Sequence, residues 1–520
     1  MKKIFLNHFN FSVFIILFIV IFGLYGKSIT YEWQFLDDDV LILEKQDYLK
    51  LSNIGTIFTD TFFGVPGDTG YRPLLNISFA IDRTLSGLNP ISYHITNILI
   101  FLFAVFSIYL LFSYKNDKVW SLFFSLVIAV NPLLCAIVCR PVDRSDSLLT
   151  LFSILSFYFL IKHLGSSNLP IFQSSNHPSS SVIPEVRNRE SMLNKIHLSP
   201  LFFSLHLLFF ALALFTKEVA LVLPIIFVIF FILSCHCWGF GPSQSSVAVS
   251  QPSALSFSAV VTLYIAIVFG YMFLRSIALA DTPQPDVLSF YIYSIVNNFV
   301  VIIKYFYNTL FPITDKLTFA QDVSFFVLTL IIFIVIFIKT KYKNIKLIFF
   351  SFFSFVLLLV PTMVMGNHMH SYAQNRIFLP MIFVYYLLLN CLQKYKIRSN
   401  GIIAVFLICL LLAYGQNTFF KMDRYQNRWT AFIGELKDTP NSPYINAKFA
   451  MLLADVSMYD KAEEYMKKAI DIEPYNIVHY ENLALIYYKK GDIDKANELT
   501  EFAEKLKVAF AELEGNLISD

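Results

Sequence analysis

The sequence predicts an all-α protein: a polytopic membrane helical bundle of about eleven spans, followed by a C-terminal α-helical repeat domain. Three observations carry this reading. Of 520 residues, 56% are hydrophobic and only 15% charged, with 56 Phe, whereas soluble domains carry about a quarter charged residues. Apolar runs long enough to cross a bilayer recur as far as about residue 420. Beyond Phe420 the chain turns polar and matches itself at an offset of 34 residues.

The first run, about 9–26 in "MKKIFLNHFNFSVFIILFIVIFGLYG", follows Lys2 and Lys3 and lacks a small-x-small cleavage pattern. It reads as an uncleaved first helix. Further runs cover 93–113, 119–138, 147–164, 199–216, 219–238, 256–277, 323–338, 346–365, 377–394 and 401–418. One more, 289–311, contains Asn297, Asn298, Lys304 and Asn308. Basic clusters mark cytoplasmic loops. Lys2 and Lys3, Lys115 and Lys118, Lys162 with Arg187, Arg189 and Lys195, Lys339 to Lys346, and Lys394, Lys396 and Arg398 share one side only if 289–311 does not cross. The N-terminus is then cytoplasmic and the C-terminus outside. The first loop, 27–90, is also outside and holds nine Asp/Glu against five Lys/Arg.

Within 165–198, "SSNLPIFQSSNHPSSSVIPEVRNRE" reads as a flexible cytoplasmic loop. The six cysteines lie in or beside apolar runs and read as small buried side chains. A net charge of +3 without a basic tract argues against nucleic acid as a partner.

The domains divide at 1–420 and 421–520. In the second, "KFAMLLADVSMYDKAEEYMKKAIDIEP" and "NLALIYYKKGDIDKANELTEFAEKL" align with Ala450 on Ala484, Leu453 on Tyr487, Ala462 on Ala496 and Ala469 on Ala503. Small residues at these points let paired helices approach closely, and Pro474 closes the first unit. This is the tetratricopeptide pattern, two repeats over about 443–510. Such repeats take peptides or partner proteins on a concave face.

Three carboxylates, Asp37, Asp38 and Asp39, stand together in "FLDDDVLIL" soon after the first span. Negative charge suits a helix start. Adjacent carboxylates also raise one another's pKa, so a partly buried one can serve as general base. Clustered Asp equally suits Mg²⁺ or Mn²⁺, with Asp38 and Asp39 as ligands. By the same parity Arg72, Arg140, Arg144, Asp146, Lys217-Glu218, Arg275 and Asn375-Arg376 fall on that membrane face. Single cations near a bilayer snorkel to headgroups. Gathered beside aspartates, they read as a base for an acceptor and positive donors for a departing lipid-phosphate.

"FLDDDVLILEKQDYL", "YRPLLNISFAIDRTLSGLNPISYHITNIL", "FTKEVALVLP", "NRIFLP" and "DRYQNRW" occur in this order. In this the chain resembles the bacterial and eukaryotic proteins that join a multi-span membrane glycosyltransferase to tetratricopeptide repeats. The eukaryotic members are the transmembrane and tetratricopeptide repeat-containing O-mannosyltransferases, within the GT-C superfamily. The resemblance implies a GT-C-like domain that takes a sugar, a mannose-type hexose first, from a polyprenyl or dolichyl phosphate. The sugar passes, with inversion, to a hydroxyl of an exported protein. The site would face the non-cytoplasmic side, and the repeats would recruit the acceptor or a partner. Asp38, with Asp39 and Asp37 beside it, then aligns with the catalytic acidic motif. Arg72, Lys217, Glu218, Arg275 and Arg376 align with lipid-phosphate contacts, and His94, Asn97, Arg144, Asp146 and Asn375 with residues that shape the site.

Two departures stand out. Where relatives often carry His-Pro-x-His-x-Glu, this chain has Asn131, Leu134 and Ala136 in "NPLLCA", and where they carry a late Glu it has Asn375. His368 and His370 are possible substitutes in the loop before it. Transfer to a lipid or glycan, block transfer of an oligosaccharide, a non-enzymatic membrane-anchored scaffold and a transporter are the alternative expectations. Ionisable residues are sparse within the spans, which weighs against the transporter.

Overall fold

The computed structural model describes residues 8–34, 37–45, 48–62, 70–166, 189–235, 257–280, 300–312, 319–340, 345–363, 374–393 and 401–517. Among them are helices and turns but no strand. The chain forms two compact units: Met1–Tyr31 with Asp38–Met422, and Glu32–Asp37 with Asp423–Asp520. The second unit thus includes six residues of the stretch that follows the first helix.

Apart from short turns, the first unit contains α1 (His8–Tyr25), α2 (Pro73–Ser86), α3 (Pro90–Phe112), α4 (Lys118–Ala129), α5 (Cys135–Cys139), α6 (Arg144–Ser166) and α7 (Arg189–Leu214). It continues with α8 (Leu223–Cys235), α9 (Phe257–Ala278), α10 (Val300–Asn308), α11 (Phe319–Thr340), α12 (Ile345–Met363), α13 (Phe378–Leu392) and α14 (Gly401–Met422). Among the described residues eight helices are long and apolar enough to cross a bilayer alone, and α4 with the stretch Pro132–Cys139 makes a ninth, bent by 49°. Two shorter apolar helices, Pro200–Leu214 and Glu218–Leu233, cover the remaining runs. Each of the eleven apolar runs is therefore helical over its described residues, apart from the bend in 119–138, and the chain is an integral membrane protein. Of 289–311, only the part from Val300 is described; there α10 has nine residues, about 13 Å of rise against a ~30 Å hydrocarbon core.

Local chemistry sets the helix ends. Asn89 starts α3 by accepting from the Ile91 N–H at 3.1 Å, with Pro90 as first helical residue. Asp117 caps α4, accepting from the Val119 and Trp120 N–H groups at 2.9 and 3.0 Å. The bend after α4 falls at Asn131-Pro132, where proline cannot continue the ladder. Asn131, wholly buried, accepts from the Leu133 N–H at 3.0 Å. The Val130 carbonyl takes the Thr418 hydroxyl of α14 at 2.7 Å, so this break leaves no orphan acceptor there. Asn131 and Leu134, two of the departures from the family pattern, are packed inside this turn.

Aromatic rings hold the bundle. Phe157 of α6 lies 4.8 Å from Phe230 of α8, 5.9 Å from Phe350 of α12 and 6.1 Å from Phe383 of α13. A polar link joins α6, α7 and α9: His206 Nδ1 is 2.8 Å from Ser156 Oγ, and its Nε2 is 2.7 Å from Tyr264 Oη. Such bonds between spans contribute about 0.6–2 kcal/mol. Outward faces are bulky and apolar, with Ile265, Phe269 and Phe273 of α9 each more than half exposed along one stripe. Such a stripe suits contact with lipid hydrocarbon. Cys409 of α14 sits on such a face, exposed rather than buried, while Cys135, Cys139 and Cys391 are buried.

The second unit contains α15 (Arg428–Asp438), α16 (Pro443–Asp455), α17 (Tyr459–Ile472), α18 (Ile477–Lys490) and α19 (Ile493–Leu517). α16 packs on α17 and α18 on α19, two helical hairpins 34 residues apart. All eight residues aligned between the repeats are buried: Ala450, Ala484, Leu453, Tyr487, Ala462, Ala496, Ala469 and Ala503. Asn427 opens α15 with a capping box shared with Thr430. Gly491 ends α18 at φ 91°, a conformation that costs an L-residue about 1–2 kcal/mol. Gly491→Ala is therefore expected to speed amide exchange in α18 and α19; unchanged exchange would contradict this account of the turn.

Candidate active site

The site candidates divide into a buried brace, a charged cluster and the aspartate trio.

The brace centres on Arg144, the first residue of α6 and wholly buried. Its Nε donates to Asn97 Oδ1 at 2.6 Å, one terminal nitrogen to Ser78 Oγ at 3.0 Å, and the other to Asp82 Oδ2 at 2.5 Å and the Tyr93 carbonyl at 3.0 Å. The guanidinium also lies over the Phe79 ring at 4.9 Å. Asp82 in turn accepts from Thr96 Oγ1 at 2.6 Å, and Asn97 Nδ2 donates to the Arg140 carbonyl at 2.8 Å. This arginine ties α2, α3 and α6 together and is committed to the protein. Asp82, its counter-charge, was not among the sequence candidates; a lone carboxylate inside the amphipathic stretch "ISFAIDRTL" is the signal that would have found it. His94, one turn before Asn97, is wholly buried, its ring nearly perpendicular to that of Tyr31 at 6.3 Å between centroids.

Asp146, two residues beyond Arg144, serves a different group. Lys217 Nζ donates to Asp146 Oδ1 at 2.6 Å, and Asn375 Nδ2 donates to Asp146 Oδ2 at 2.9 Å and toward Asp143 Oδ1 at 3.4 Å. Arg140 pairs with Asp143 at 3.3 Å. Lys217 is 8% exposed. Burial pushes its ammonium below the usual lysine range, Asp146 pulls it back up, and Arg72 and Arg376 repel it. Arg72, just before Pro73 of α2, pairs with Glu218 at 3.2 Å and lies over the Phe62 ring at 4.6 Å. Glu218 also accepts the Tyr71 N–H at 2.9 Å; it orients Arg72 and is not itself suited to face an anion. Arg376 donates to the Thr362 carbonyl at 3.4 Å. Arg275 stands one turn beyond Tyr271, whose ring packs on Tyr71 at 5.6 Å.

Residues from four turns distant in sequence thus meet at one end of the bundle: Arg72, Asp146, Lys217 and Asn375-Arg376. Their mixed charge keeps each cation oriented while leaving the group rich in N–H donors. Asn375 suits this setting because an amide donates to two neighbouring carboxylates. Asn375→Asp would set a third carboxylate against Asp143 and Asp146, and is expected to destabilise by about 1–3 kcal/mol. A melting temperature equal to wild type would contradict that reading.

The division of the chain splits the trio, with Asp37 in the second unit and Asp38 and Asp39 in the first. Asp38, 1% exposed, precedes a single wide turn over Asp39–Leu43, closed by the Glu44 N–H on the Asp39 carbonyl at 2.8 Å. Asp39 is half-buried, and Asp37 belongs to the second unit, where Tyr444 Oη lies 3.5 Å from its Oδ1. Among the described residues no three His, Cys, Asp or Glu side chains converge as metal ligands. His368 and His370 lie outside the described residues.

The fold and this cluster define an integral membrane protein that gathers charged residues at one end of its bundle and carries a helical-repeat unit. Among curated proteins the chain is similar to protein O-mannosyl-transferases. It is 34% identical to Protein O-mannosyl-transferase TMTC2 of Homo sapiens over 137 residues, 24% of this chain and 16% of that protein. It is 30% identical to TMTC3 of Mus musculus over 166 residues, 31% of the chain and 18% of the relative. It is 32% identical to TMTC4 of Mus musculus over 149 residues, 25% and 20% respectively. The matched stretches thus span about a fifth or less of these relatives. No protein-family model matches the chain, and no solved structure matches it significantly.

Proposed function

We propose that the chain is a membrane glycosyltransferase that moves a mannose-type hexose from a polyprenyl or dolichyl phosphate to a hydroxyl of an exported protein. The reaction takes place on the non-cytoplasmic face, with the N-terminus in the cytoplasm and the repeats outside. The observation that carries this reading is the convergence of Asp146, Arg72 and Arg376 on Lys217, joined to the similarity to protein O-mannosyl-transferases.

In the reaction Asp38 takes the proton of the acceptor hydroxyl. The oxygen attacks the anomeric carbon from the face opposite the phosphate. A C–O bond forms as the bond from carbon to phosphate oxygen breaks, the lipid-phosphate leaves with the electron pair, and the configuration inverts. Lys217, Arg72 and Arg376 stabilise the charge that develops on the leaving oxygen, a contribution of several kcal/mol when such donors are preorganised away from water. The repeats recruit the acceptor.

The reading gives no step to a metal. Transfer is expected to persist in excess EDTA; loss on chelation, restored by Mn²⁺ or Mg²⁺, would overturn this part. Lys217→Met is expected to reduce transfer by about 10²–10³-fold, as removal of one preorganised donor does elsewhere, when purified protein is given labelled polyprenyl-phosphate-mannose and a Ser/Thr-rich peptide. Labelled lipid or glycan in place of labelled peptide would favour a different acceptor class. Wild-type transfer by the Asp38→Asn variant would favour the scaffold.

A further inference from the structure

The inward side of α9 carries two tyrosines, Tyr264 and Tyr271, two turns or about 10 Å apart along the helix. Both are buried, at 3% and 1% exposure. The Tyr264 hydroxyl is bound, 2.7 Å from His206 Nε2. The Tyr271 hydroxyl has no hydrogen-bond partner among the described residues. A buried phenol usually finds a partner, and leaving its bond unmade costs stability. The Tyr271 ring is fixed against two turns of the charged cluster, 5.6 Å from the Tyr71 ring and 5.7 Å from that of Phe215. Tyr71 directly precedes Arg72, and Phe215 stands two residues before Lys217. The charges that act on the Tyr271 hydroxyl are those of Glu218, Arg275 and Arg72. From this setting, and resting on the reading of the cluster as a lipid-phosphate site, we infer that Tyr271 is a further binding residue, donating its O–H to an anionic oxygen of a lipid-borne phosphate.

Three features select this ligand. Glu218, the carboxylate near Tyr271, is already engaged on both oxygens, by the Tyr71 N–H at 2.9 Å and Arg72 Nε at 3.2 Å. It does not need the phenol to hold it. Lys217 is matched to Asp146 and Arg72 to Glu218, so a neutral donor adds a hydrogen bond for an incoming anion without adding a charge that needs its own counter-ion. The residues next to Tyr271 on the outward side of α9, Met272 and Phe273, are exposed, Phe273 more than half. An anion at Tyr271 thus lies one helix width, about 10 Å, from a face suited to hydrocarbon. That placement fits a phosphate carried on an isoprenoid chain rather than a soluble one.

The test uses full-length protein in lipid nanodiscs and compares Tyr271→Phe with Tyr264→Phe, each of which removes only a hydroxyl. Tyr271→Phe is expected to bind polyprenyl phosphate about 10–100-fold more weakly, the value of a hydrogen bond to a charged group, and to melt no lower than wild type. Tyr264→Phe is expected to melt lower and to bind polyprenyl phosphate as wild type does. Polyprenol, which has the chain but no anion, should not distinguish Tyr271→Phe from wild type. Equal affinity of Tyr271→Phe and wild type for polyprenyl phosphate overturns the inference and leaves the proposed reaction untouched. A melting temperature lowered as far as in Tyr264→Phe also overturns it, because the hydroxyl is then structural. So does an equal loss for polyprenol, which makes the contact apolar. Inorganic phosphate that binds as tightly as polyprenyl phosphate overturns the lipid assignment. If wild type transfers no sugar while its binding of polyprenyl phosphate depends on Tyr271, the proposed reaction fails and this site stands. If wild type binds no polyprenyl phosphate, both fail.

Discussion

Replacing Asp38 by Asn is expected to slow sugar transfer by about 10²–10⁴-fold, the usual contribution of a positioned general base. Protein yield and melting temperature should hold, because Asp38 is buried and a neutral side chain of the same shape removes a charge from that setting without opening a cavity. Binding of the lipid-phosphate donor should also survive, since that role falls to Lys217, Arg72 and Arg376. Asp37→Asn should matter far less: Asp37 stands in the second unit near Tyr444. Parallel turnover and donor-binding measurements on the two variants check this. Equal losses in both would mean that the aspartates act as a single charged patch, contrary to their separate surroundings.

The largest effect on stability is expected at Arg144. Arg144→Met keeps the volume but leaves Asp82 buried opposite no charge; both side chains of this pair are wholly shielded from solvent. Breaking such a pair costs about 3–5 kcal/mol, and the bonds to Asn97, Ser78 and the Tyr93 carbonyl go with it. Arg144→Lys should recover only part, because an ammonium cannot reproduce the planar fork that meets four partners. The double variant Arg144→Met with Asp82→Leu should regain much of the loss, since replacing a whole buried pair by packed apolar groups is often neutral. Thermal unfolding in detergent reads all three. A single variant that melts with wild type would show that the brace is not what joins α2, α3 and α6.

Much of the architecture is legible in the sequence because its signals are local. Eleven apolar runs become helices since nothing else satisfies the backbone in hydrocarbon. The 34-residue match becomes two hairpins since small residues recur where helices must touch. The site is only half legible. Charge parity brings Arg72, Asp146, Lys217 and Arg376 to one face, but it cannot say that Glu218 is a partner of Arg72 while Arg144, two residues from Asp146, is committed inward to Asp82. Those assignments depend on which side of a helix start each residue occupies, a distinction that no spacing rule in "CRPVDRSD" reveals. Asp82 escapes the sequence for the same reason: its partner lies some sixty residues away. The aspartate trio reads in sequence as one motif, whereas its members fall in different units because the boundary runs between Asp37 and Asp38.

The central claim is that the chain transfers a sugar from a lipid-phosphate using Asp38 and the cation cluster around Lys217. The most direct measurement gives purified full-length protein labelled polyprenyl-phosphate-mannose and a Ser/Thr-rich exported polypeptide, and identifies the labelled product by mass spectrometry. The account predicts an inverted, O-linked hexose on the polypeptide with wild type and almost none with Asp38→Asn or Lys217→Met. Label that stays on the lipid with wild type across donors and acceptors, or equal transfer by the two variants, would contradict it.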